Sequence, residues 1–554
     1  MRITLVGIAA KFVHQSLAPW CLKAGLVQYG VDDPCRVLEL NINQPREQAL
    51  EMLMETAPQI AAFSCYIWNI KQVEYLVKCL RLLMPDTVIV LGGPEAGYRP
   101  ESMLRNLPQA DYVITGEGEY AFARLCQCLS RGDSPQDIPG LSLRTENGIR
   151  TNAPKPLPLP APSPWTKECQ EALNGRIAYL ETSRGCPFSC AFCLSGREDS
   201  VRFFPLDKAK EELLLVARSG TKTVKLVDRT FNCNPSRAAE IFRFLIEKRR
   251  ENAFRDVCFH FEVGADLFDE ETLQLLQTAP PGLFQIEAGL QSFHEETLEA
   301  CHRITDLRKL CKNLVSLISG SNIHVHIDLI AGLPFEDFQT FGESFNQAIS
   351  LSPHMLQLGF LKLLYGSHFQ QHAKEYGMLY SPEPPYEVLE TNWLSYNDIR
   401  RLKRCEEALE RLYNSGYFRR TLALVFQQPN LSPFELFCRM GDIAETATGG
   451  LSLDQYSQLA FSFFSSLTGM RQEALRDAMA LDRLSMDNTG HLPAFLAIPD
   501  PRYKALTALL RKEAPVGTKI GACILYDGQE RLAYTDYQIR HPVTGEFEIS
   551  YILL

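Results

Sequence analysis

Residues 182–196 read TSRGCPFSCAFCLSG and place Cys186, Cys190 and Cys193 at C-x3-C-x2-C spacing. Three thiols so close in sequence can hold metal or run redox chemistry, and each chemistry makes a countable demand. A structural zinc site needs a fourth Cys or His at short spacing. The next cysteine is Cys233, and no His stands between Cys193 and Cys233. A redox C-x2-C pair uses Cys190 and Cys193 alone and leaves Cys186 without a task. A cubane iron–sulfur cluster normally takes four thiolates. Held by three, it keeps one iron open to bind something else, which is a catalytic arrangement. Chance clustering in a chain with 17 Cys is the bland alternative.

The loop needs elements to hold it. IAYLETS (177–183) reads as a strand just before the cysteines, and DKAKEELLLVARSG as a helix after them, capped by Asp207 and closed by Gly220. TVKLVDRTF (223–231), VCFHFEVGA (257–265), LFQIEAGLQS (283–292), HVHIDLIAGL (324–333) and MLQLGFLKLL (355–364) repeat the pattern, with a helix opened by Asn234 and Pro235 after the second strand. Six strand–helix units over 176–365 predict an open, partial (β/α)6 barrel, two units short of the closed eightfold one. At the carboxyl ends of these strands stand Asp228 and Asn232, Glu262, Glu287 with Gln291 and Ser292, Asp328 with Gly332 and Pro334, then Lys362 and Tyr365. Several polar residues around one rim predict a mouth for a cationic, polar ligand.

Upstream, RITLVGI (2–8), RVLELNI (36–42), IAAFSCYIW (60–68), TVIVLGG (87–93) and DYVITGEGE (111–119) alternate with helical stretches. That predicts a doubly wound, Rossmann-like parallel sheet over 1–150. Such sheets bind ligands outside the carboxyl ends of their strands. His14, Ser64, Tyr66, Gly92, Gly93, Gly116, Glu117 and Gly118 all fall there, and glycine lets a backbone approach a bulky ligand closely. Taken singly, they read more readily as turn glycines and core aromatics. Pro at every second position from 154 to 164 predicts an extended, semi-rigid connector within 151–175.

From 366 to 554 a mostly helical domain with a small terminal β-sheet is expected. SYNDIRRLKRCEEALERLYNSGYF is amphipathic, with Ser395 or Asn397 as cap, and SLDQYSQLAFSFFSSL is a further helix. GTKIGACILYDGQERLAYTDYQIRHPVTGEFEISYILL alternates as antiparallel strands do. The basic-aromatic YFRRTLALVF reads as a solvated helix face. This region is expected to cap the barrel mouth and shape substrate access.

Composition narrows the function. The 554 residues are 45% hydrophobic and 22% charged, an ordinary globular balance for several domains. A formal charge of −10 argues against a broad nucleic-acid-binding surface. No apolar run approaches the ~18 residues of a membrane span. MRITLVGIAAKF lacks the layout of a signal peptide. Abundant Cys without an export signal points to the reducing cytoplasm.

C-x3-C-x-aromatic-C, here Cys186, Cys190, Phe192 and Cys193, resembles the signature of the radical S-adenosylmethionine (SAM) superfamily, and IEAGLQS and DLIAGLPFED resemble its fourth- and fifth-strand motifs. FSCYIWN, LGGPEAG and ITGEGE resemble the cobalamin-binding domain that precedes some of these enzymes. The resemblance covers about residues 1–365, in the organisation of cobalamin-dependent methyltransferases of unactivated carbon. It implies a 4Fe-4S cluster on the three cysteines with SAM chelating the open iron. It also implies SAM contacts from Phe192, Asp228, Glu262, Glu287, Gln291, Ser292, Gly332 and Pro334. Cobalamin would lie against His14, Ser64, Tyr66, Gly92, Gly93, Gly116, Glu117 and Gly118.

By the same resemblance, one SAM methylates cobalamin, a second yields a 5′-deoxyadenosyl radical, and the substrate radical takes the methyl from methylcobalamin. A dry pocket between two facing strand-end rims is the physical requirement. A reductant such as flavodoxin or ferredoxin and a small-molecule or peptide substrate are the partners implied. There are two departures. No D-x-H-x-x-G supplies a histidine to cobalt, and Phe335 replaces the glycine of a G-x-P-G-E motif, which leaves Glu336 without an assigned role. A cobalamin-binding radical SAM cyclase or rearrangement enzyme is the alternative. A non-catalytic cobalamin or iron–sulfur sensor is the distant one.

Overall fold

The apolar runs of the N-terminal third become strands because they are buried on both faces, as parallel strands between two helix layers must be. In this computed structural model, which describes residues 1–173, 175–197, 200–428, 430–447, 450–515 and 517–554, every residue of β1 (Ile3–Ala9) is buried. β1, β2 (Cys35–Asn41), β3 (Ile60–Ser64), β4 (Val88–Gly92) and β5 (Tyr112–Ile114) pair in parallel in the order β2-β1-β3-β4-β5. Two further strands, β6 (Leu141–Thr145) and β7 (Gly148–Thr151), extend the edge in antiparallel fashion. Glu146 and Asn147 form their two-residue turn, and the Asn147-Gly148 step is a hairpin signal that the βα reading of this region passes over. β5 is shorter than expected. Gly116 and Glu117 form a turn, and Gly118 already begins the helix Gly118–Arg131.

The chain divides into two compact units, one of residues 1–283 and 362–388, the other of 284–361 and 389–554. The first unit holds the seven-stranded sheet and a parallel trio, β8 (Ala178–Leu180), β11 (Thr223–Leu226) and β12 (Cys258–Val263), with β11 central. Between β8 and β11, β9 (Ser183–Arg184) pairs with β10 (Arg202–Phe203) in antiparallel fashion. The helix after the cysteines, Leu206–Ala217, begins at Pro205, so Asp207 lies inside its first turn and is not its cap. Asn234 does cap Pro235–Arg250, accepting from the Arg237 amide at 3.2 Å. Residues 152–166 form no helix or strand, as alternate prolines dictate, yet Leu157, Ala161 and Trp165 are buried, so the connector is pinned along its length.

In the second unit β13 (Phe284–Gln291), β14 (His324–Ala331) and β15 (Met355–Phe360) run parallel in that order. Strand β15 stops before Lys362, which with Tyr365 belongs to the first unit. Helices follow, among them Tyr396–Leu409, opened by a Ser395–Asp398 capping box, and Leu453–Ser465, opened by a Ser452–Gln455 box. The small sheet is antiparallel, of Gly521–Leu525, Arg531–Thr535 and Ser550–Leu553. No helix among the described residues is long and apolar enough to cross a membrane.

Candidate functional site

The cysteine loop starts one residue after β9, at Gly185, whose φ of +92° favours glycine. The Cys193 amide donates to the Cys190 carbonyl at 3.0 Å, and the Cys193 sulfur accepts from the Ser195 amide at 3.4 Å. The Cys186 sulfur lies 3.5 Å from the Thr230 hydroxyl. The loop closes on itself at Gly196, where a Cβ would lie 1.7 Å from the Phe188 carbonyl oxygen. Phe192 is half-buried beside Ala191, whose carbonyl takes the Phe369 amide at 3.1 Å. All three cysteines are thiols, not disulfides, and all are half-exposed. Burial, then the nearby Cys186 thiol, pushes Cys233 up to about 11, so it stays a protonated thiol. No three His, Cys, Asp or Glu side chains among the described residues converge on one ion. A cubane does not ask for that, because its thiolates bind separate irons. The donor set fits a three-thiolate cluster.

Asp228 occupies a different place from the one its strand-end position implies. It is buried behind the loop and accepts from the Thr182 amide at 2.8 Å, the Thr182 hydroxyl at 2.7 Å and the Ser183 hydroxyl at 2.6 Å. Burial raises its carboxyl above the ordinary range despite these bonds. With its oxygens filled from the strand that feeds the cysteines, it supports the loop. Asn232 likewise braces backbone, at Gly264. Glu262 pairs with Lys225 across β11 and β12 at 3.4 Å.

The second unit carries the other rim residues. Gln291 ends β13 with φ +76° beside a bulge at Gly289, and its buried Oε1 has no hydrogen-bond partner among the described residues. Ser292 donates to Glu336 at 2.6 Å, and Ser344 donates to the same oxygen at 2.8 Å. Glu336, 1% exposed, is pushed up to about 7 by burial, and its Oε2 is also unmatched. Glu287 lies half-buried four residues before Gln291 in β13, Gly332 takes φ +93°, and the Pro334 carbonyl accepts from Thr297 at 2.8 Å. Phe335 keeps the left-handed backbone a glycine would hold, φ +64°, with its ring against Trp393 at 4.6 Å. Two orphaned buried oxygens and strained backbone on one rim fit a polar ligand.

On the first sheet, register sets Ser64 level with Gly92. A Cβ on Gly92 would meet only the Ile114 carbonyl, at 3.8 Å, so the strand end is open there. Gly93, at φ +89°, rides so close to Cys65 that a Cβ would sit 2.7 Å from its carbonyl oxygen. Gly116 has φ +79°, and Gly118 packs on Leu22. The open strand end at Gly92 leaves room for a ligand, whereas Gly93, Gly116 and Gly118 pack against Cys65, Pro154 and Leu22. Tyr66 stacks on Trp68 at 4.3 Å, and buried Asn69 ties the turn together through the Ile8 and Ser64 carbonyls. Asn69 carries no sequence signal beyond its place in YIWN. His14 is turned to Tyr179, its Nδ1 2.7 Å from that hydroxyl. Burial, then Lys11 and Lys225, lowers its pKa and keeps it neutral. Glu117 is also spent on protein: Oε1 meets Arg202 and, at 3.2 Å, Arg184, while Oε2 accepts from the Leu157 amide.

Within this unit the two sets of strand ends touch. The Tyr98 hydroxyl donates to the Leu194 carbonyl at 3.2 Å, one residue past Cys193. Burial pushes the Tyr66 hydroxyl up to about 12. Arg184, Arg202 and Tyr98 are the residues that sequence reasoning missed. Their role is a partner far along the chain, and no local pattern announces that.

Comparison with known proteins follows the same division. The model described as "B12 binding domain" matches residues 3–126, "Radical SAM superfamily" matches 180–348, and "Protein of unknown function (DUF4080)" matches 374–539. The chain is 29% identical over 314 residues to the cobalamin-dependent radical SAM methyltransferase TokK of Streptomyces tokunonensis, covering 54% of this chain and 46% of that one. It is 27% identical to a 2-(S-pantetheinyl)-carbapenam-3-carboxylate methyltransferase of Streptantibioticus cattleyicolor, covering 62% and 53%. It is 25% identical to an anaerobic magnesium-protoporphyrin IX monomethyl ester cyclase of Rubrivivax gelatinosus, covering 60% and 61%. The chain thus spans about half the length of the curated methyltransferases it matches. The solved cobalamin-dependent SAM radical enzyme OxsB, with aqua-cobalamin and SAM bound, shares the fold at a TM-score of 0.58 and 16% identity, covering 86% and 78%. The chain thus matches a B12-binding domain model ahead of a radical SAM model that spans the cysteine loop.

Proposed function

We propose that the protein is a cobalamin-dependent radical SAM methyltransferase acting on an unactivated carbon of a small molecule or peptide. One observation carries the reading: a loop with three half-exposed thiols shares a unit with the sheet that matches the B12-binding model, and Tyr98 joins the two. When bound, the cluster and SAM supply a radical able to take hydrogen from carbon, and cobalamin supplies the methyl group. The chain's own residues hold this chemistry in place. Cys186, Cys190 and Cys193 would ligate the cluster, with Phe192 beside it. Glu262 of the first unit is a candidate SAM contact, Gln291, Ser292, Glu287, Gly332 and Pro334 are the candidates of the second, and Asp228 props the loop. Ser64, Tyr66, Gly92, Gly93, Gly116 and Gly118 would line the corrin, with His14 and Glu117 behind them.

The working division is 1–150 for cobalamin, 151–175 as connector, 176–365 for the barrel and 366–554 for substrate access. A cytoplasmic protein reduced by a flavodoxin or ferredoxin fits an all-thiol complement of cysteines.

The anaerobically reconstituted protein is expected to bind about four irons per chain and to cleave SAM on reduction. Cys186→Ala, Cys190→Ala and Cys193→Ala are each expected to do neither, and turnover in all three would overturn the assignment. With methyl-labelled SAM, label should be held by the protein-bound corrinoid before any substrate is added. SAM cleavage with no label on the corrinoid would favour the second reading, a cyclase or rearrangement enzyme, which the likeness to a cyclase supports.

A further inference from the structure

The Gly-Glu-Gly-Glu turn after β5 does not point its acids at open space. Glu119 is 4% exposed and held against Gly25, where a Cβ would come within 2.8 Å of it. Its Oε1 accepts from Arg184 Nη2 at 2.7 Å, and the same Nη2 reaches Glu181 at 2.7 Å. Arg184 Nη1 lies 3.2 Å from Glu117. Arg202, cross-strand partner of Arg184, contacts Glu117 as well and donates to the Leu157 carbonyl at 3.0 Å. Two guanidiniums from β9 and β10 thus clasp three carboxylates, two of them from the turn.

On the other side of the same strand, Asp228 grips Thr182 and Ser183. Residues 182–184 are bracketed by carboxylates on both sides, and only Gly185 separates them from Cys186. Any shift of Arg184 therefore moves the first cysteine directly. A guanidinium is needed here because one ammonium cannot fork to three acids. Removing it would leave buried Glu119 and half-buried Glu181 near each other without this cation.

We propose that Arg184 is a positioning residue that fastens the cysteine loop to Glu117 and Glu119, so that these acids serve the cluster loop without touching the corrin, and filling one cofactor site steadies the other. The inference rests on the proposed function for the identity of the two cofactors.

The test measures iron extraction by a chelator from the reconstituted full chain, with and without added hydroxocobalamin. Cobalamin is expected to slow extraction several-fold in the natural protein. In Arg184→Gln, extraction should be several-fold faster and indifferent to cobalamin. Arg184→Lys should fall between the two, and it keeps the test usable should Arg184→Gln fold poorly by circular dichroism. Glu119→Gln should speed extraction while leaving the amount of cobalamin retained unchanged. Extraction from both Arg184 variants at the natural rate would overturn the proposal, as would Glu117→Gln and Glu119→Gln that lose cobalamin with iron unaffected. If the natural protein takes up no cobalamin at all, the functional reading fails, and the iron arm alone still decides the clasp.

Discussion

Glu336 shows how far a residue's surroundings can move its chemistry. A glutamate in water ionises near 4.3. Here burial pushes Glu336 up to about 7, with two serine hydroxyls on one oxygen and none on the other. The folded state therefore holds a proton that the unfolded chain releases between pH 4.5 and 7. Stability from this group is fully present below that window, falls as pH rises through it, and is flat above, a loss of about 3 kcal/mol. Glu336→Gln, which mimics the protonated acid, is expected to remove that slope. Urea unfolding of both proteins at pH 5 and pH 8 measures it, and an unchanged gap between them would sink the idea. The three cysteines stand out in the sequence because closely spaced thiols are a local pattern. Asp228 does not, because a carboxylate at a strand end looks the same whether it meets a ligand or, as here, Thr182 and Ser183.

Loops between elements carry the tightest steric demands. At Gly196 a methyl group would collide with backbone, not with a movable side chain. Gly196→Ala is expected to prevent the loop from closing and to lower iron bound per chain severalfold, with little change in far-ultraviolet circular dichroism. Phe335 poses the opposite case, a bulky residue in a glycine conformation. Phe335→Ala and Phe335→Gly both lose the Trp393 contact, but alanine alone keeps the left-handed penalty, so the alanine variant should be less stable by about 1 kcal/mol. Thermal melts of the two variants decide this. The strands themselves were legible from their buried apolar runs. The β6–β7 hairpin was missed because strand–helix alternation favours parallel pairing, whereas a two-residue turn folds a strand straight back.

Across the whole molecule, the chain leaves the first unit at Leu283 and returns to it from Lys362 to Val388. The returning segment has a purpose that its composition hides. The Tyr386 hydroxyl donates to buried Glu95 at 2.5 Å, and Arg99 pairs with Glu95 while stacking over Tyr365 at 4.2 Å. Glu95 directly follows Gly92, Gly93 and Pro94, so this segment braces the loop of the B12-binding sheet. Tyr386→Phe is expected to cost about 2 kcal/mol, the range for a hydrogen bond to a charged group, in urea unfolding. A loss under a few tenths would mean that Arg99 satisfies Glu95 alone. The expected boundary at 366 follows the last barrel strand, and nothing in the local pattern tells where the chain goes next.

By itself the sequence determined the chemistry on offer and the elements that present it: three thiols in one loop, glycines at strand ends, six strand–helix repeats and an upstream doubly wound sheet. These follow from spacing and periodicity, which are properties of neighbours along the chain. Only the tertiary structure decided which polar residues are consumed by partners within the protein. Glu117, Glu119, Asp228 and His14 find partners 40 to 165 residues away. Electrostatic and hydrogen-bond partners are set by distance in space, and folding, not spacing, fixes that distance.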